Sequence, residues 1–176
     1  LHSGLHGGLA LNPITELTRL LASLFRSDHR VAVQGFYDGI CDPTPREQDL
    51  VQQQAFDAEA YTASIGMPPT AGEPQYAPLE RLGFRPALDI NGIQGGNATS
   101  MKTVIPASAT ARLTARLAAG QDPEQCLRAL RDHLKAHTPD AMQLEIYDDG
   151  TAGPGFRMDP DSAPVQLART VLTQLS

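Results

Sequence analysis

The chain has 176 residues, a formal net charge of -6 and 41% hydrophobic residues. That length fits one domain, and the apolar content supports a packed core and excludes a disordered chain. The negative balance, with no basic run among aromatics, argues against nucleic acid or an anionic membrane as partner, and no run of about 18 apolar residues could span a bilayer.

The opening is rich in glycine: Gly4, Gly7 and Gly8 surround His2 and His6. Asn12-Pro13 then reads as a helix start, with Asn at the cap and Pro at the first helical position. Ile14, Leu17, Leu20, Leu21, Leu24 and Phe25 follow at helical spacing and predict one apolar stripe. Val31 and Val33 suggest a short strand. Residues 42–83 are punctuated by Pro43, Pro45, Pro68, Pro69, Pro74 and Pro78, and read as an insertion with one helix within Glu47–Ile65 and loop elsewhere.

Regular structure returns as a short strand over residues 86–91, with Leu88 and Ile90 facing one way, followed by a loop over 92–100. Residues 103–118 form the clearest strand. Ala109, Ala111, Leu113, Ala115 and Leu117 take one face; Thr110, Arg112, Thr114 and Arg116 take the other. That alternation fits an antiparallel sheet wet on one side. Asp122-Pro123-Glu124 repeats the cap-then-Pro pattern, with Leu127, Leu130 and Leu134 as the buried stripe of the next helix. Met142, Leu144 and Ile146 predict a strand. A last helix places Val165, Ala168, Leu172 and Leu175 inward. The fold class is therefore α+β: a ferredoxin-like antiparallel sheet with two helices on one face, a Pro-rich insertion and a C-terminal helix, in a single domain over residues 1–176.

Several residues could carry chemistry. His2 lies in a segment whose glycines allow close approach to a ligand, and a histidine there can donate to a developing oxyanion. His133 and His137 stand i, i+4 on a helix, which is metal-ligand spacing, but no Glu follows His133 and no third ligand is evident. They are expected to be surface histidines near a helix C-terminus, where cationic imidazole suits the dipole. Arg116, on the polar strand face, is a solvated charge, pairs with Glu145 on a neighbouring strand, or clamps a carboxylate bidentately. Cys41 and Cys126 are expected as free thiols, which suits a reducing cytoplasm. No His-x-Asp and no Glu-Glu pair occurs.

An ordered series of short stretches remains: Leu1-His2-Ser3-Gly4 with Gly7-Gly8, Gly35-Phe36-Tyr37-Asp38, Glu80-Arg81, Ile90-Asn91-Gly92-Ile93, Lys102-Thr103-Val104-Ile105-Pro106, Arg116-Leu117 and Gln121-Asp122-Pro123-Glu124. In order and spacing they resemble the lid, or dimerisation, domain of the di-zinc peptidases related to carnosinase, carboxypeptidase G and the aminoacylases. The resemblance implies a domain that pairs with its twin and closes over the active site of a hydrolase, from which this chain would be excised. By position, His2 matches a lid histidine that steadies the tetrahedral intermediate in the opposite subunit. Thr103 matches a substrate-contacting threonine, and Arg116 matches the arginine that holds the substrate carboxylate. The two zinc ions would sit in a separate catalytic domain, with no metal ligand and no cofactor in this chain. The implied partners are a second copy of the chain and a peptide or N-acyl amino acid substrate, in a cytoplasmic enzyme. Where carnosinase-like enzymes can carry a substrate-side histidine, this chain has Asp148-Asp149. The rival readings are a stand-alone ferredoxin-like module that binds a small molecule and a purely structural oligomerisation domain.

Overall fold

A computed structural model describes every residue except Ala98, Met101 and Ser176. Its elements run α1 (Ser3–His6), α2 (Pro13–Ser23), α3 (Pro45–Gln53), α4 (Ala58–Ile65), α5 (Pro78–Phe84), β1 (Ala87–Gly95), β2 (Ala109–Arg116), α6 (Pro123–Ala136) and α7 (Ala163–Leu175). The architecture is α+β. β1 and β2 form an antiparallel hairpin, and one face of it carries the core.

The two helices expected from a cap followed by Pro start where the sequence places them. The Asn12 side chain accepts from the Ile14 amide and that of Asp122 from the Glu124 amide, each satisfying a donor the helix leaves open. Leu20 and Leu21 of α2, its C-cap Leu24, and Cys126 and Leu134 of α6 join Leu88 of β1 in the core, with Ala111, Leu113 and Ala115 of β2 packed against them. Phe36 and Leu24 are fully enclosed. The even-numbered residues of β2 face away from this core, as the alternation predicts.

The segments expected as further strands differ. Met142, Leu144 and Ile146 are half-buried while Gln143, Glu145 and Tyr147 are exposed, yet this stretch joins no ladder among the described residues. Val31 and Val33 are buried with a single bridge, Phe25 to Val31. Period-two burial reports which side faces the core, not whether a partner backbone lies within bonding range. β1 runs to Gly95, into the stretch expected as loop, and β2 spans Ala109–Arg116, shorter than expected.

The Pro-rich region holds more helix than expected. α3 and α4 replace one helix, because Asp57 caps a fresh start by accepting from the Ala60 amide at 2.8 Å. α5 begins at Pro78, with the Glu80 carboxylate accepting from the Ala77 amide at 2.8 Å. α7 forms, but not with the expected buried stripe. Ala168 and Leu172 are exposed, and so are Leu167 and Val171; only Val165 is half-buried. The Leu175 side chain lies outside the described residues. No helix among the described residues is long and apolar enough to cross a membrane.

Candidate functional site: the His2–Thr103 junction and the far end of β2

The first three residues are laced onto the connection between β1 and β2. The Ser3 amide and hydroxyl both donate to the Thr103 carbonyl, at 2.9 and 3.0 Å. The Leu1 ammonium donates to the Ile105 carbonyl at 3.0 Å, and the Ile105 amide donates back to Leu1 at 2.8 Å. Between these bonds His2 and Val104 form an antiparallel bridge. Two segments 100 residues apart in sequence are thus held side by side, and His2 and Thr103 come together.

The His2 ring is oriented by its own helix start. Nδ1 accepts from the Gly4 amide at 3.0 Å. A neutral imidazole that accepts at Nδ1 carries its proton on Nε2. The exposed ring therefore presents an N–H donor outward. Gly4 leaves room for this: a Cβ there would meet His2 Cε1 at 2.9 Å and Nδ1 at 3.1 Å, so the ring would have to shift.

Arg116 is placed differently. Thr103 sits in the connection at the turn end of the hairpin, whereas Arg116 closes β2 at the open end, opposite Ala87. The strand between Ala109 and Arg116 is about 23 Å long at the usual rise per residue. Arg116 is exposed and makes no ion pair among the described residues. The pairing with Glu145 does not form; Glu145 accepts instead from Gln143 and Tyr147.

The histidine pair on α6 departs from expectation. His133 is half-buried and its Nε2 lies 2.9 Å from Ser23 Oγ. Ser23 Oγ already donates to the Leu20 carbonyl at 2.7 Å, so it accepts from His133 and fixes the proton on Nε2. His137 stacks on His133 with ring centroids 4.0 Å apart. Burial, and then the neighbouring His137, push the His133 pKa below the ordinary histidine value. A cationic imidazole serving the helix dipole is not what the fold favours at His133. The pair borders a cavity of about 580 Å³ with Asp38, Gln125 and Arg128, which none of His2, Thr103 and Arg116 lines.

Among the described residues no group of three or more His, Cys, Asp or Glu could hold a metal ion. The described residues do not fit a di-zinc centre. Cys41 is exposed and Cys126 buried, both free, and burial pushes the Cys126 thiol pKa up.

The described residues form an α+β domain with an exposed histidine beside the connection of a hairpin and an exposed arginine at its open end. The sequence profile of the peptidase dimerisation domain matches residues 1–142, and the chain belongs to that family. It is 27% identical over 156 residues to the Cys-Gly metallodipeptidase DUG1 of Saccharomyces cerevisiae, covering 85% of this chain and 32% of that protein. With the Beta-Ala-His dipeptidase of Rattus norvegicus it shares 30% identity over 136 residues, 77% of this chain and 28% of that one. The crystal structure of the M20 family metallo-carboxypeptidase Sso-CP2 from Sulfolobus solfataricus superposes with a TM-score of 0.79 at 28% identity, over 94% of this chain and 42% of that chain. The chain thus spans about a third of the length of the curated relatives it matches.

Proposed function

We propose that this domain pairs with a second copy of itself and acts as the lid over the active site of a zinc-dependent peptidase, of dipeptidase or carboxypeptidase type, that cleaves amide bonds near a free carboxylate. The observation that carries the reading is the bridge of His2 to Val104, which sets His2 beside Thr103 with the Nε2 proton facing outward. In that role His2 donates to the oxyanion as the carbonyl becomes tetrahedral, and Thr103 contacts the substrate beside it. Arg116 grips the substrate carboxylate through two parallel N–H bonds. Zinc ions held by a catalytic domain outside these residues would supply the activated water.

The separation of the two ends argues for two copies. A dipeptide extends only about 7 Å along its backbone, whereas the two ends of β2 are about 23 Å apart. That span disfavours one hairpin offering both ends to one substrate. A two-fold pair can offer both, by sending the His2–Thr103 end of one copy to the site that Arg116 of the other copy serves. α2 and β1, which touch where Ile14 packs on Gly95, form the candidate seam.

The test is made in the full-length enzyme. His2→Ala lowers kcat by about 100-fold with little change in substrate affinity, because the donor acts in the transition state. Arg116→Ala raises KM for substrates with a free carboxylate. Mixing His2→Ala subunits with subunits disabled in the zinc site restores activity, since the mixed dimer has one intact zinc site served by the His2 of its zinc-dead partner. No recovery in verified mixed dimers would refute the cross-subunit role.

A further inference from the structure

β2 presents a second arginine on the same face as Arg116. Thr110, Arg112, Thr114 and Arg116 share the side turned away from the core. The register sets Arg112 opposite Gly92 and Arg116 opposite Ala87, the two smallest residues, so neither guanidinium is covered across the ladder. Between them the Thr114 hydroxyl donates to the Asn91 side-chain oxygen, at the irregularity between Ile90 and Gly92. Asp89 stands opposite Thr114, diagonal to both arginines, and ion-pairs with neither among the described residues. No partner for Arg112 is found among the described residues either. This face therefore carries two open cations and one acid on a chain whose net charge is -6.

The spacing suits a particular ligand. Arg112 and Arg116 are four residues apart, about 13 Å along the strand, and their flexible side chains can lean toward each other across Thr114. One arginine suffices for a substrate with one carboxylate. Two open guanidinium groups on one face match a ligand with two carboxylates a residue apart, each held by charge-assisted bonds.

We propose that Arg112 is a specificity-determining residue: together with Arg116 it selects peptides in which an acidic residue precedes the carboxyl-terminal one. The inference rests on the reading of Arg116 as the carboxylate clamp. It is tested on this chain by following the arginine side-chain N–H resonances during titration with N-acetyl-Ala-Ala and N-acetyl-Asp-Ala. The two-carboxylate peptide binds about tenfold more tightly than the other. Arg112→Gln brings the two peptides to the same affinity, and Arg112→Lys restores part of the difference. Equal affinities for the unaltered chain, or a tenfold difference that survives in Arg112→Gln, would overturn the role of Arg112. The clamp is read out separately: Arg116→Gln weakens both peptides, and an unchanged affinity for N-acetyl-Ala-Ala in that variant would overturn the clamp and the inference with it. Dispersion of the core amide resonances confirms that each variant is folded.

Discussion

The Arg85 guanidinium grips the Glu73 carboxylate with two bonds, Nε to Oε1 at 2.5 Å and Nη2 to Oε2 at 3.0 Å. Both side chains are almost withdrawn from water, at 10% and 6% exposure. The Tyr76 ring centroid lies 4.4 Å from the guanidinium carbon and the Tyr37 ring centroid 5.6 Å. Breaking such a pair leaves a lone buried charge, so Glu73→Leu or Arg85→Met alone should destabilise the chain by about 3–5 kcal/mol. The double substitution replaces both charges by apolar groups and should cost clearly less than either. Urea unfolding of the three variants measures this; a double variant as unstable as the sum of the singles would mean that the two side chains act independently.

Gln121 is buried and serves two backbone groups. Its amide donates to the Phe36 carbonyl at 2.6 Å and its oxygen accepts from the Ala118 amide at 2.8 Å. Gln121→Leu fills the space but strands both groups, at about 1–3 kcal/mol each. Thermal unfolding should show the loss. Gln121→Glu should lose stability too, because a carboxylate can serve Ala118 but offers no proton to Phe36.

Acid should weaken the fold through His133. Burial and His137 depress its pKa in the folded chain, so below the unfolded value, about 6.5, the unfolded chain takes up the proton first. This contribution is complete above that pH and is lost as pH falls through the folded pKa. The unfolding midpoint should drop between pH 7 and pH 5, and the slope should flatten in His133→Gln. An unaltered slope in that variant would assign the pH response to other groups.

Gly4→Ala tests the orientation of the His2 ring without removing the imidazole. The added Cβ collides with the ring and breaks the Nδ1 bond. In the full-length enzyme kcat should fall by about 10–100-fold while substrate affinity holds, because misplacing a transition-state donor by an ångström is costly. A variant with normal kcat would show that this orientation is not used in turnover.

Much of the frame is legible in the amino-acid sequence because it is written locally. Asn12-Pro13 and Asp122-Pro123 start helices, and the alternation over residues 109–117 assigns both faces of β2. The same local chemistry announces α5: Pro78 at the first position and Glu80 two residues later, reaching back to the Ala77 amide. Ladder partners are another matter. Residues 142–146 alternate as a strand does, but pairing is decided by what lies beside them. The contacts that fix the interior join residues with no sequence pattern between them, as Ser23 and His133 do across 110 positions. The candidate site is of that kind. His2, Thr103 and Arg116 are picked out by resemblance, whereas the closeness of the first two and the place of the third at the open end of the hairpin come only from folding.

Gly39 and Gly120 meet back to back, both with positive φ, at 77° and 92°. A Cβ on Gly39 would come within 2.9 Å of the Gly120 carbonyl oxygen, and one on Gly120 within 2.3 Å of the Gly39 oxygen. A Gly120 Cβ would also meet Cys41 Sγ at 2.5 Å, but both carbonyl clashes are with main chain, so shrinking a side chain does not relieve them. Drift in the apolar interior can be repaired by a second change nearby that restores volume. This contact allows no such repair, and every route from glycine at either position passes through a strained, destabilised intermediate. The crossing of these two loops is therefore a fixed point in the mutational history open to the domain, while the side chains around it remain exchangeable.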